Sequence, residues 1–444
     1  MDINIPNGAL SVLNRFAQNG CSAYIVGGCV RDAVMGRECN DWDITTSALP
    51  WQTKDIFSDK KVIETGISHG TVTVIADNEP YEITTFRADG EYSDHRHADE
   101  VIFSDSIEDD LSRRDFTVNA MAYNPNSGFI DLFGGIDDIN SKIIRAVGDA
   151  KKRFEEDALR ILRGLRFAAQ LGFEIETCTK RAMFECKHLI VHLSAERIYQ
   201  EICRLIQGQH ALDVMLEYGE IIAEAVPEIA SSIGFDQKNK HHIYNVWDHT
   251  AYSVANSPFD PVCRLVMFLH DCGKPDTFTV DESRTGHFYG HSKVSAAKAE
   301  VFFERSGAGN DIKNRVCKLI YLHDSDIFGG ERSIRRWLGK LGEPDLRRLI
   351  DIKRADNLSQ APQYRGRLME LESIKEKVDR IVAQKSCVNK SMLDINGNDI
   401  MALGYQGVQI GYVLDELLDA VIESRCNNTK DELIRYAANL GRRD

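Results

Sequence analysis

The stretch Tyr24–Thr46, YIVGGCVRDAVMGRECNDWDITT, joins an apolar run, two glycines, an Arg-Asp pair and an Asp-Trp-Asp triplet. The apolar run reads as a short strand, and VRDAVMG reads as a short helix behind it. Gly27 and Gly28 between them permit positive φ and a close approach of backbone N–H groups to an anion. The helix N-terminus then faces the same anion. Asp41 and Asp43 are two residues apart, so on a strand their carboxylates share one face. Mg²⁺ takes one or two such carboxylates together with substrate phosphate oxygens. A pair of these ions activates an attacking hydroxyl and neutralises a leaving pyrophosphate. Each feature alone is common in ordinary turns and strands; in this order they point to phosphoryl chemistry.

Working outward, GTVTVIADNEPYEITTFR reads as a β-hairpin, two β-branched alternating runs around an Asp77-Asn78-Glu79-Pro80 turn. Glu82 in its second strand is the candidate third carboxylate. In DDLSRRDFTVNAMAYN, residues 109–124, Arg113 and Arg114 suit triphosphate oxygens, Asp115 is placed to orient one of them, and Thr117 and Asn119 add hydrogen-bonding groups.

The segment RFEEDALRILRGLRFAAQLGF, residues 153–173, reads as one amphipathic helix stopping at Gly172. Ala158, Ile161, Leu162, Leu165, Ala168 and Ala169 form its buried stripe, and Asp157 and Arg160 pair at i,i+3 on the other side, with Gly164 beneath them. A carboxylate only accepts and a guanidinium only donates. Cytosine and adenine both present an exocyclic amino group beside an unprotonated ring nitrogen. Uracil and guanine present a carbonyl beside a ring N–H, which mismatches both groups. A polar site of this kind rejects the wrong partner by as much as ~10⁴-fold. One side-chain pair thus admits CTP and ATP without a template.

Composition sets the bounds. The chain has 444 residues, 43% hydrophobic and 27% charged, enough for several soluble domains. Its formal net charge of −14 argues against a general polyanion binder, although local basic patches suffice for a nucleic-acid enzyme. No apolar run approaches a membrane span, and MDINIPNGALSVLNRF lacks the build of a signal peptide. The 11 cysteines contain no CxxC, as expected of reduced thiols. A cytoplasmic protein with no membrane partner is expected.

The motifs VGGCVRD with DWD, RRDFTVNAMAY, DLFGGIDDI, RFEEDALRILRGLRFA and SAERIYQEI resemble, in order, those of bacterial class II tRNA nucleotidyltransferases, the CCA-adding enzymes. They cover roughly residues 20–205; related poly(A) polymerases share the set. The resemblance implies an α/β polymerase-β-like nucleotidyltransferase head followed by all-α neck, body and tail. Boundaries are expected at 1–145 for the head, 146–235 for the neck and RNA-binding region, 236–360 for an HD-type body and 361–444 for the tail. It implies catalytic Mg²⁺ on Asp41 and Asp43, and Glu82 from the hairpin completes the expected catalytic set. It implies nucleotide contacts from Gly27, Gly28, Arg31, Arg113, Arg114, Asp115, Asn119, Asp157, Arg160 and Arg163. Asp131 with Gly134 and Gly135 matches the family's head–neck hinge. The expected substrates are the tRNA 3′ end, CTP and ATP. The mildly basic C-terminus argues against poly(A) polymerase, and RADGEYSDHRHADEVIF at 87–103 resembles the flexible loop that CC-adding relatives lack. Full CCA addition is favoured over an A-adding specialist.

The second half carries another signal. HHIYNVWDHTAYSV, RLVMFLHDCGKPDTF, GHFYGHSKVSA and YLHD resemble an HD domain over about 240–360. His249, His270 and Asp271 are candidate ligands, with His287, His291, His323 and Asp356 available to complete the set. Imidazoles with carboxylates suit a second divalent or transition metal, which activates water for phosphomonoester or 2′,3′-cyclic-phosphate hydrolysis. An HD phosphohydrolase is the alternative reading of the chain. Leu393–Arg425 reads as two helices around Gly404 and Gly407, resembling the tail that holds the tRNA elbow.

Overall fold

The computed structural model describes residues 3–39, 41–88 and 102–440. Most of the loop expected at 87–103 and the last four residues lie outside them. By contact the chain divides into two compact units, Met1–Ala230 with Arg305–Gly307, and Ser231–Glu304 with Ala308–Asp444.

The first unit is built on a sheet. Its strands are β1 (Ala23–Val26), β2 (Ile44–Thr46), β3 (Val62–Ile63), β4 (Thr71–Ala76) and β5 (Glu79–Thr85). The short pair β6 (Arg87–Ala88) and β7 (Ile102–Phe103) stands apart, and β8 (Met121–Asn124) and β9 (Gly128–Asp131) complete the sheet. The order is β3-β4-β5-β2-β1-β8-β9, antiparallel throughout except where β2 runs parallel to β5. Gly27 takes φ +77° directly after β1 and starts the helix Gly28–Val34. The positive φ expected of this glycine pair is therefore present at Gly27.

Two expectations about local structure need correction. The β4–β5 turn is tighter than read: Ala76 pairs with Glu79, so only Asp77 and Asn78 turn, both at positive φ. Asn and Asp tolerate that conformation, and paired positive φ values match the twist of a two-residue hairpin. Glu79 and Pro80 already belong to the strand. The long helix at 153–173 is in fact two, Ala150–Glu156 and Leu159–Leu171. The break falls at Asp157, which is extended (φ −144°, ψ 102°). The apolar stripe is buried as expected. Gly164 is also buried, packed against Met183 and Phe116 rather than lying beneath an Asp157–Arg160 pair.

Among its described residues the second unit is helical, with one small strand pairing, Thr279–Val280 with Gly286–His287, aside. His270 follows directly on Pro261–Leu269, whose residues are almost all buried. Toward the C-terminus, Gly397–Ala402 and Val408–Ile422 flank Gly404 and Gly407, and a separate core of Leu393, Ile400, Val413, Leu417 and Leu433 holds them. Among the described residues no helix is long and apolar enough to cross a membrane.

Candidate active site and metal centre

Strand register builds the carboxylate cluster. β2 and β5 run parallel with Ile44 opposite Ile83, so Asp43 and Glu82, one residue earlier on each, are neighbours at the open end of the sheet. The backbone carbonyl of Asp43 still accepts from Val26 N–H at 3.0 Å, extending the ladder one residue past β2. Loss of solvent, Glu82 and Asp41 push the Asp43 carboxyl up to about 6, against the pull of Arg114. Carboxylates crowded in this way lack compensating charge, which is what a bound cation supplies. Asp41 is exposed and precedes the strand rather than sharing its regular face.

Asp43 and Glu82 open into a cleft of about 610 Å³. Gly27 and Gly28 lie on its wall, and eight arginines line it: 31, 87, 113, 114, 160, 163, 166 and 197. Such a wall is suited to a triphosphate. The arginines are held individually. Arg31 donates to Asn119 Oδ1 at 2.7 Å and to the carboxylate of Asp32. Arg113 and Arg114 converge on Asp110, at 2.5 and 3.1 Å. Asp110 is fully buried, yet the two guanidiniums outweigh burial and hold its carboxyl below the ordinary range. Arg166 pairs with buried Glu201, and burial pulls its guanidinium down to about 10. The ring of Phe167 lies under Arg31, Arg163 and Arg166, with centroid distances of 5.3, 5.6 and 4.3 Å.

The expected role of Asp115 is corrected: it orients Arg163, not Arg113 or Arg114. It also accepts from Phe116 N–H and from Asn119. Its neighbours overcome burial and hold the carboxyl down to about 2.

Asp157 and Arg160 line the cleft, but not as a mutual pair. Asp157 Oδ1 caps the helix Leu159–Leu171 through Leu159 N–H (3.0 Å), and Oδ2 accepts from Arg197 Nη2 (2.8 Å). Arg160 Nη1 donates to Glu156 (2.7 Å) and Arg153 O (3.0 Å), and Nη2 to Arg113 O (2.8 Å). Glu156 is itself buried and bonded to Arg153. The helix break is what frees Asp157 from the helix surface and turns it into the cleft. Asp131 accepts from Gly135 and Ile136 N–H, capping the helix Gly135–Ser141.

Sequence reasoning missed Asp110, Arg87, Glu156, Arg166, Phe167 and Arg197. For Asp110 a signal was present, since it stands three and four residues before Arg113 and Arg114.

In the second unit four imidazoles surround Asp271. Each Nδ1 faces a backbone carbonyl: His249 that of Ser359 (3.4 Å), His270 that of Met267 (2.7 Å), His291 that of Phe288 (2.9 Å) and His323 that of Ile320 (2.6 Å). With Nδ1 donating, every Nε2 turns an unshared pair inward. Those pairs meet other acceptors. His249 Nε2 lies 2.9 Å from Asp356 Oδ1, His270 Nε2 lies 3.2 Å from Asp271 Oδ2, and His291 and His323 oppose each other at 3.2 Å. His270 Nε2 is buried without a hydrogen-bond partner, and Asp271 Oδ2 has the Lys274 ammonium 2.7 Å away. Acceptors facing acceptors in a buried site fit bound cations. Two ligand groups emerge, His249/His270/Asp271 and Asp271/His291/His323, which share Asp271. Asp356 adjoins the first. His287 does not join the set; its Nε2 is bonded to Asp281 (2.9 Å). The adjoining cavity, about 310 Å³, is lined by Lys274, Lys353 and Arg367 as well as His242 and Tyr289.

Three family models match the chain. The Poly A polymerase head domain family matches residues 23–145. A family described as a probable RNA and SrmB-binding site of polymerase A matches 172–232, and the HD domain family matches 240–361. The CCA-adding enzyme of Lactobacillus helveticus is 45% identical over 436 residues, spanning 97% of this chain and 96% of its own. That of Streptococcus sanguinis is 45% identical over 438 residues, 96% of each. The match to the Oceanobacillus iheyensis CCA-adding enzyme, 50% identical, spans half of that enzyme and 46% of this chain. Among solved structures, the Bacillus stearothermophilus CCA-adding enzyme in complex with CTP superposes with a TM-score of 0.76 at 28% identity, covering 98% of this chain and 97% of its own. The Thermotoga maritima CCA-adding enzyme complexed with tRNA shares the fold, with a TM-score of 0.61 at 18% identity over 99% of this chain and all of its own.

Proposed function

The chain belongs to the bacterial CCA-adding enzymes, and from that premise we propose that its first unit adds C, C and A to the 3′ end of tRNA from CTP and ATP. The observation that carries this reading is one cleft holding both chemistries: Asp43 and Glu82 side by side at its sheet edge, and Asp157 and Arg160 on its helical wall. Asp41, Asp43 and Glu82 are the residues to hold Mg²⁺, which when bound supplies hydroxyl activation and charge neutralisation at the phosphates. The tRNA 3′-oxygen attacks the α-phosphorus of the nucleotide, the bond to the β-phosphate bridge breaks, and pyrophosphate departs. Gly27, Gly28, Arg31, Arg113, Arg114 and Arg163 bind and orient the triphosphate, with Asp115 and Asn119 fixing Arg163 and Arg31. Asp157 accepts from the exocyclic amino group of C or A while Arg160 donates to the adjoining ring nitrogen. The test is primer extension on transcripts ending before CCA, after C and after CC, with each nucleotide alone and in pairs. Addition that stops at CCA and ignores UTP and GTP is expected. Addition of A only to the CC-ended transcript identifies an A-adding specialist, a long A ladder identifies a poly(A) polymerase, and no addition refutes the reading.

The convergence of imidazole Nε2 atoms on Asp271 favours a second reading beside the first, a metal-dependent phosphohydrolase centre in the second unit. His249, His270, Asp271, His291, His323 and Asp356 are its ligand candidates. Lys274, whose ammonium lies 2.7 Å from Asp271, and Arg367 line the same cavity and suit a phosphomonoester or cyclic phosphate.

A further inference from the structure

A base-reading carboxylate discriminates only if its orientation is fixed. Asp157 sits at a break between two helices, where the backbone alone does not immobilise a side chain. Leu159 N–H secures Oδ1. Oδ2, the remaining oxygen, is secured from elsewhere in the chain: Arg197, in the helix Ala195–Ile206, reaches it at 2.8 Å across 40 residues of sequence. That helix packs along Leu159–Leu171, which carries Arg160 and Arg163. Arg197 lines the same cleft, and its Nη1 is buried without a hydrogen-bond partner. Asp157 is the anion on which this guanidinium is fixed.

We propose that Arg197 is a positioning residue for nucleotide selection: it holds the Asp157 carboxylate in one orientation as an acceptor, and so excludes UTP and GTP without touching the reacting atoms. The inference rests on the reading of Asp157 and Arg160 as the base selectors. Its physical basis is asymmetric. A carboxylate held in place opposes the 4-carbonyl of uracil or the 6-carbonyl of guanine with acceptors only. Released from that partner, the side chain can rotate away and no longer opposes those carbonyls. The rejected bases then lose their penalty, while cytosine and adenine lose only a fraction of their fit.

The test measures kcat/KM for single CTP and UTP additions on a transcript ending before CCA, in the full chain. Arg197→Met is expected to raise the UTP/CTP ratio by about tenfold or more, since an unpaired polar group is what enforces the discrimination. Arg197→Gln, which retains a donor without charge, is the second variant and is expected to raise the ratio too. Arg197→Lys, which restores the charge, is expected to return it toward the wild-type value. If Arg197→Met and Arg197→Gln lower both nucleotides by the same factor, the residue is merely structural and the inference is overturned. Asp157→Asn separates the two levels. A ratio that Asp157→Asn leaves unchanged overturns the base-reading assignment itself. A ratio that moves in Asp157→Asn but not in the arginine variants overturns only the role of Arg197.

Discussion

One oxygen of Asp115 accepts both the Nε–H and the Nη2–H of Arg163, at 2.7 and 2.6 Å, across 48 residues of sequence. The loop that follows the arginine pair is thereby pinned to the helix that carries Arg160. The contact is also a pH sensor for stability. The folded carboxyl titrates near 2, below the ordinary value of about 3.9. A lowered carboxyl stabilises the fold fully above its unfolded value and loses that contribution as the pH falls through the folded one. About 2 kcal/mol is at stake. Comparing thermal unfolding of wild type and Asp115→Asn is expected to show the wild type ahead at pH 7. The gap should narrow from about pH 4 downward. A gap independent of pH would count against the assignment.

Asp110 performs the equivalent service for Arg113 and Arg114. It is completely buried, and both arginines depend on it. Asp110→Asn leaves two guanidiniums without their counter-ion, a change that costs about 3 kcal/mol when a buried pair is broken. Because those arginines are proposed to bind the triphosphate and not the base, KM for CTP and for ATP is expected to rise together, with the UTP/CTP ratio unmoved. Steady-state kinetics on both nucleotides decides it; a selective effect on one base would be the wrong outcome.

How far these roles were legible depends on whether the information was local. The strand–Gly–Gly–helix unit is local: β-branched residues, a glycine at positive φ and a short amphipathic stretch lie within one reach of chain, and all are found. The cluster of Asp43 and Glu82 required only a strand pairing. The break at Asp157 was hidden because the apolar period resumes almost in phase after it, so the stripe Ile161, Leu162, Leu165, Ala168 looks unbroken. What ends the first helix is a side chain capping the next one, together with an arginine 40 residues away. Tertiary partners of this kind leave no periodic trace. The same holds for Arg87 and Arg166, which became cleft residues only when the sheet and the helices were placed together. In the second unit the ligand types and their order were readable. Their convergence was not, and His287 shows the difference: it stands among the motif histidines but is committed to Asp281.

Metal removal separates the two centres. Asp271 belongs to both ligand groups, so the second unit is expected to bind two divalent ions per chain. Calorimetric titration of the metal-stripped full chain with Mn²⁺ should show two more sites in the wild type than in Asp271→Asn, and His291→Ala should lose one, because His291 serves only the group that includes His323. Hydrolysis of p-nitrophenyl phosphate and of a 2′,3′-cyclic nucleotide is expected to vanish in Asp271→Asn. Nucleotide addition with Mg²⁺ should survive, since Asp271 does not line the first cleft. Loss of both activities in a variant with an unchanged melting temperature would mean that the second centre serves the first. Hydrolysis that persists in Asp271→Asn would remove the imidazole cluster as its source.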